Sequence, residues 1–457
     1  MNKNMIIAAA LIVIVGVVAF VGGYYMAPRV TTGGAREIVT IKMVYWPGPE
    51  SDALTPIIDE YNTYIGPSQG VKVELVLYGR EIFWEKETTL LLAGSTDIDV
   101  AFVASYSAGK YAPYLVPLDE FIDNKTLFPA TLDDWYQTTL DALTFKGHLY
   151  GIPHVGPESA MLYYRTDLIS TPPETLDEFL TVAANYTRSV NPNSPTLYGC
   201  ALQGMNLLYP AMVWHGVLAS SGGKLFKGPG LETGGAYVGN YTPNFDSPEA
   251  RYALGVYVNA TQNGYAPPET STMEYPQQNT VFQNQEAAML IQWTAAYAEL
   301  TNPELSPNVW NKTGFALIPG VRQQDGSVLH MTYVNTWGPA INNASLHKEE
   351  CFGFLAWLCT QYPMLQYTLN GGRTPLYSVF NNPEVLATRP DIAGPFKDIF
   401  AGEGSFPGLN LPESLDIYSK IAQHLSAAVA GSETVTVALQ GMNTDVFNLL
   451  DEAGYYD

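Results

Sequence analysis

The chain carries 8 Trp and 30 Tyr among its 457 residues. These aromatics are its most prominent means of recognising another molecule. An indole or phenol ring offers a flat apolar face, and its N–H or hydroxyl binds polar groups at the rim, a combination suited to polar ring compounds. Most of the tyrosines are expected to do no more than fill half-buried positions. Two positions stand out by pattern. Trp46 ends an apolar strand just before Pro47-Gly48-Pro49, where an α/β sheet presents its ligands. An indole there also serves to anchor a loop, and both readings stand. Glu81 lies at a strand-to-helix turn, as a candidate contact or as a carboxylate facing the helix dipole.

Covalent chemistry has little to work with. The histidines at 148, 154, 215, 330, 347 and 424 are scattered, and none forms the HExxH pair of a zinc helix. There is no GxSxG elbow and no GxxxxGK[ST] phosphate loop. Gly228 and Gly230 begin a GxG, but Thr233 stands where a dinucleotide turn needs its third glycine. The 44 acidic residues contain no pair that pattern alone marks as a glycosidase couple. No catalytic residue, metal or cofactor is expected. A secreted glycosidase remains the alternative from another class. Cys351 and Cys359 lie on one predicted helix, about 12 Å apart along its axis, too far to bridge. Cys200 has the choice of either.

A formal net charge of -22 repels phosphate backbones, which excludes nucleic acid as a partner. Hydrophobic residues make up 47% and charged residues 14%, so the chain has ample material for a core. Its length exceeds what one core usually fills, and two lobes are expected.

The elements that must position these side chains follow from periodicity. Ile41 and Met43 open a strand ending near Trp46. Leu54, Ile57, Ile58 and Tyr61 form the stripe of an amphipathic helix, and VKVELVLY reads as a half-buried strand. Residues 81–93 look helical and DIDVAFV is a buried strand. The alternation predicts a parallel sheet with helices on both faces. Further on, Thr175 with Glu178 is a capping box, and Ser247-Pro248 opens a helix through Tyr257. Cys351, Phe354, Leu355 and Leu358 mark another helix, and Leu439, Met442, Val446 and Leu449 a last one.

Residues Met5–Ala27 contain no charge and are long enough to cross a bilayer. With Pro28 directly after the one plausible cleavage residue, an uncleaved signal anchor over 1–30 is expected in preference to a cleaved signal. Residues 31–36 then form a flexible tether. Pro28 and Gly33-Gly34 break the long stem that a pilin-like filament subunit would need. Sequons at Asn124, Asn185, Asn240, Asn259, Asn311 and Asn343 favour a glycosylated exterior face, hence the extracellular side of the cell membrane.

A series of segments in order resembles the extracellular solute-binding proteins of ABC importers for sugars, with the maltose-type proteins as best-known members. The first strand–helix–strand unit matches, as do LLAGSTDIDVAF, LVPLDEFID and HLYGIPHVGPESAMLYYRTDL, followed by PPETLDEFL. VFQNQEAAMLIQW is similar with Gln285 and Gln292 in place of the usual glycines, and GFALIPG and NGGRTPLYSVFNNPEV complete the series. The likeness covers roughly 37–455. It implies a two-lobed periplasmic-binding-protein-like α/β fold with a hinge, an interlobe ligand cleft, and closure around the ligand. The lobes would be 37–151 with 317–358, and 152–316 with 359–457. The partners implied are a sugar or oligosaccharide and the importer's permease subunits; a peptide ligand is the nearer alternative.

The same likeness carries over candidate contacts. Ser105 and Tyr106 follow the DIDVAFV strand at the family's polar contact position, and Glu158 corresponds to an acidic contact past the first crossover. Asn206 and Trp214 precede SSGGKLF, with Trp214 equally readable as core. Trp293 has its motif, displaced slightly. Tyr333 and Trp337 lie after the second crossover, on the cleft, and Arg373 follows Gly371-Gly372, as a contact or a loop closure. Trp293 and Trp337 are expected to stack on the sugar from different lobes. Two features of the address are checked on native protein. N-terminal sequencing should find no start between Val21 and Ala35, and peptide mapping should find glycan on several sequons; a start in that window would show cleavage.

Overall fold

The computed structural model describes residues 38–124, 132–228, 240–389 and 405–456. The expected anchor and tether, and the Gly230 and Thr233 positions, lie outside the described residues. Within them, no helix is long and apolar enough to cross a membrane.

From Val39 the chain forms one compact unit. It opens with β1 (Val39–Tyr45), α1 (Pro49–Glu60), β2 (Val71–Leu77), α2 (Phe83–Leu92) and β3 (Val100–Ala104). The α1 stripe behaves as its spacing predicts, with Leu54, Ile57, Ile58 and Tyr61 all buried. Then come β4 (Val155–Glu158), β5 (Ala160–Arg165), α3 (Leu176–Asn185), β6 (Tyr198–Ala201), α4 (Leu208–Ser220) and α5 (Pro248–Gln262). Both predicted caps form: Thr175 Oγ1 accepts from Glu178 N at 3.2 Å, and Ser247 Oγ from Ala250 N at 3.1 Å. The remainder comprises α6 (Tyr275–Gln283), β7 (Ala287–Trp293), β8 (Thr313–Ala316), β9 (Thr332–Ile341), α7 (Lys348–Leu358), α8 (Gln361–Leu369), β10 (Ser405–Pro407), α9 (Ser414–Val429) and α10 (Val435–Glu452).

Two sheets result. The first runs β10-β9-β3-β1-β2, with β4 also on β9; the second runs β8-β5-β7-β6. Neither is wholly parallel, contrary to the expectation. β1 pairs in parallel with β2 and β3, but β9 lies antiparallel to β3 and β4, and β5 antiparallel to β7 and β8. The reason is the connection. β5 enters its sheet directly from β4 of the other sheet, and β9 enters from β8 with no helix between, so neither strand is delivered by the helical crossover that makes sheet neighbours parallel.

The chain passes between sheets at Ser159, again between β8 and β9, and a third time between β10 and α9. The helices of 361–388 pack on α1 and α7, the first sheet's side of the molecule. The expected boundary had assigned them to the second lobe. The contacts of α1 with α8 place them there, while α9 and α10 join α4 and α5 on the other side.

All three cysteines are buried and unbonded, so the pairing left open for Cys200 does not form. The six sequon asparagines are all exposed.

The end of α6 explains one departure from the family pattern. Gln285 N–H donates to Phe282 O and Glu286 N–H to Val281 O, the paired bonds of a Schellman turn. Gln285 accordingly sits at φ 63°, a left-handed conformation that favours glycine. Gln285→Gly should raise stability by about 0.5–1 kcal/mol, since relief of strain outweighs the added freedom of the unfolded chain. A lowered urea midpoint would contradict this.

Candidate functional site

Three strand ends converge. Trp46 follows β1, Arg80 follows β2, and Trp293 closes β7. Three helix starts meet them, bringing Glu50 on α1, Tyr209 on α4 and Tyr275 on α6. With Glu158 of β4 and Trp337 of β9, these side chains line a narrow cavity of about 20 Å³. Contributions come from both sheets, and the position at carboxyl ends of strands is where open α/β sheets bind ligands. A larger groove of about 530 Å³ adjoins it, sharing Arg80 and Tyr275.

The aromatic wall is rigid. Trp46 sits edge-on to Trp337 at 6.0 Å between ring centres, to Phe83 at 5.0 Å and to Phe102 at 5.2 Å. Trp337 Nε1 donates to Tyr106 Oη at 3.0 Å, and Trp84 Nε1 to Tyr209 Oη at 2.9 Å. By contrast, Trp46 Nε1, Trp293 Nε1, Tyr275 Oη, Glu50 Oε2 and Arg80 Nε are buried without a partner. Buried polar atoms rarely stay unsatisfied, so five around one cavity mark groups that a polar ligand completes.

Behind Trp293 lies a web of amides. Gln203 Nε2 donates to Gln292 Oε1 at 2.6 Å, Gln292 Nε2 to Asn279 Oδ1 at 3.0 Å, and Gln278 Nε2 to Ala201 O at 2.7 Å. Gln292 Oε1 also accepts from Trp293 N at 2.8 Å, fixing the end of β7. Gln292 thus positions the neighbouring tryptophan.

The charges are nearly all enclosed. Arg80 pairs with Glu274 at 3.3 Å and lies over the rings of Tyr209 at 4.9 Å and Tyr275 at 5.4 Å. Burial raises the Glu50 carboxyl above its ordinary value, with Arg80 only partly offsetting this. Burial likewise pushes Glu158 up to about 7, against the pull of Arg373 and the hydrogen bond donated by Thr294.

Of the predicted contacts, the structure brings Trp46, Glu158, Trp293 and Trp337 together around the cavity. Trp293 and Trp337 stand on different sheets, as expected. The others lie elsewhere. Tyr106 is fully buried and supports Trp337 from behind. Ser105 and Tyr333 face the third crossing, where Gly408 approaches so closely that a Cβ would collide with both. Trp214 is core, on a helix buried on every side, and stacks on Phe245. Arg373 is buried outside the cavity lining, within electrostatic reach of Glu158. Glu81 and Asn206 are exposed.

Sequence reasoning missed Glu50, Arg80, Tyr209 and Tyr275. Glu50 directly follows the Pro-Gly-Pro loop that flagged Trp46, and Tyr275 opens a helix before Pro276. Each is a helix-start signal, and Tyr209 before Pro210 carries the same one.

A two-sheet α/β body with an aromatic, hydrogen-bonding cavity at its strand ends is a ligand-binding protein of the two-lobed kind. Residues 47–361 match the model of the bacterial extracellular solute-binding proteins, and the chain belongs to that family. It is a family of binding proteins, not enzymes. A probable amino-acid ABC transporter periplasmic-binding protein of Sinorhizobium fredii is 22% identical over 84% of both chains. A mannitol-binding protein of Pseudomonas aeruginosa is 23% identical over 84% of this chain and 88% of its own. Among solved structures, a solute-binding protein of Agrobacterium radiobacter in complex with ribitol superposes with a TM-score of 0.78 at 22% identity, covering 91% of this chain and all of that one.

The Glu158 carboxyl makes a pH prediction. Its folded value lies above the ordinary 4.5, so the fold holds the proton more tightly than the unfolded chain. That stability is present below about 4.5 and is lost as pH rises through about 7, at most about 3 kcal/mol. Glu158→Gln should remove this component of the slope in denaturation of the unliganded protein; a slope equal to wild type would refute it.

Proposed function

We propose that the chain captures a sugar or sugar alcohol between its two lobes, at this cavity and the groove beside it, by closing on it, then hands it unchanged to an ABC importer. The observation that carries this is the set of unsatisfied polar atoms among aromatic faces. Trp46 Nε1, Trp293 Nε1 and Arg80 Nε are donors, Glu50 Oε2 accepts, and Tyr275 Oη does either. A hydroxyl both donates and accepts, so a compact polyhydroxyl molecule matches that mixture, and its C–H faces stack on the rings. An α-amino acid, named for one relative, brings a carboxylate that needs a cation. Among the described residues the cation lining the cavity is Arg80, already held by Glu274. Mannitol and ribitol, named for two others, are polyols.

The lobes are then about 38–158 with 332–407, and 160–316 with 414–456, and the crossings between them are the hinge. Residues 1–30 hold the protein to the outer face of the membrane, with 31–36 as tether and glycans on the exposed sequons.

Calorimetry of the chain from residue 36 against sugars and polyols should find a ligand released unaltered; steady product formation would favour the glycosidase alternative. Trp293→Ala should weaken that ligand by thirtyfold or more, about 2 kcal/mol. Unchanged affinity in a variant that still folds would remove Trp293 from the site.

A further inference from the structure

The indole faces suited to stacking are out of a sugar's reach in this arrangement of the lobes. The space that Trp46, Trp293 and Trp337 share is about 20 Å³, room for about one water, whereas small-molecule sites use roughly 300–1,000 Å³. Specific ties hold the lobes this close. The short segment from Arg80 to Trp84, at the turn between β2 and α2, reaches across to the starts of α4 and α6 on the second lobe. Arg80 Nη2 pairs with Glu274 Oε1 at 3.3 Å, and its guanidinium lies over the rings of Tyr209 at 4.9 Å and Tyr275 at 5.4 Å. One turn further on, Trp84 Nε1 donates to Tyr209 Oη at 2.9 Å in a buried hydrogen bond. Tyr209 is thus gripped twice from one segment, on its face and at its hydroxyl. The lobes also meet beside the groove, where a Cβ added at Gly371 would stand 3.1 Å from that of Ala298. None of these residues lies on a crossing between the sheets, so chain connectivity does not enforce the contacts.

We propose that segment 80–84 is an autoinhibitory latch: it holds the lobes shut over an aromatic cavity too small for a sugar, and it must release Glu274 and Tyr209 before a ligand reaches the indoles. The proposal rests on the sugar-binding reading above and adds what opposes binding. The physical basis is competition for one space. The latch contacts form only with the lobes together, and a ring stacked on Trp46 or Trp293 requires them further apart. The apparent affinity is then scaled down by the fraction of molecules that are unlatched, so weakening the latch raises it. Opening moves the lobes as bodies about their crossings and leaves each wall as built.

The experiment compares the full chain with its Glu274→Gln, Trp84→Phe double variant. Glutamine keeps an acceptor at the start of α6, and phenylalanine keeps a ring in the core while removing the donor. Nitroxides attached through Thr89→Cys and Glu269→Cys, exposed positions on the two lobes, report the lobe separation by pulsed electron spin resonance; the three native cysteines are buried. Without added sugar, wild type should give one short distance, and the double variant should gain a longer one. Stopped-flow binding of mannitol, ribitol, glucose and maltose is measured on both proteins. For each probe that binds, the double variant should show an affinity and association rate about threefold higher or more. Identical distance distributions would overturn the latch. So would an affinity left unchanged or lowered, since the contacts would then be neutral or part of the closure around ligand, and the sugar reading would stand. Binding of no probe to either protein would overturn the sugar reading and this one with it. Should Trp84→Phe not fold, Glu274→Gln alone decides by the same criteria.

Discussion

The backbone hydrogen bonds of β9 hold the site in register. This single strand pairs with β3, β4 and β10. Through β4 it fixes Glu158 opposite Asn335, and through β3 it sets Trp337 opposite Ala104. Since side chains alternate along a strand, a slip of one residue would turn Trp337 away from the cavity. The indole is further pinned by Tyr106, so ladder and side-chain bond specify the same position. Because β9 also begins where the chain returns from the second sheet, the strand that positions the cavity wall is continuous with one of the connections between the lobes.

Around that frame the cavity is electrostatically expensive when empty. Glu50 and Glu158 are buried with raised proton affinities, and donors on Trp46 and Trp293 have no acceptor. Such groups destabilise a fold unless something satisfies them. The cost is tolerable because the surrounding shell is well satisfied, as the amides of Gln203, Gln278, Gln292 and Asn279 show. Rigidity behind the rings and unmet hydrogen-bonding capacity in front of them belong to one arrangement, in which little has to reorganise when a ligand arrives.

Much of this was legible in sequence. The strand–helix–strand opening, the two caps and the aromatic end of β1 announce themselves through local spacing, and the aromatic end of β7 through the family resemblance. What remained hidden depended on direction or on distant pairing. Glu81 was chosen and its neighbour Arg80 lines the cavity, because at a turn pattern does not tell which of two adjacent side chains faces inward. Ser105 and Tyr333 were placed in the cleft by position, yet the backbone at Gly408 fills the space beside them, from more than seventy residues beyond Tyr333. Trp214 stood even between contact and core, and its helix, which has no polar face, makes it core. Mixed strand direction escaped notice because periodicity reports which residues are buried and says nothing of how strands are ordered.

The crowding of indoles has an optical corollary. Trp46 lies 6.0 Å from Trp337 and 5.9 Å from Trp84, centre to centre, at interplanar angles of 69° and 47°. Chromophores so close and so fixed share their excited states and give strong signed bands in near-ultraviolet circular dichroism. Two of the three line the cavity, so the protein carries its own spectroscopic reporter of occupancy, with no label required.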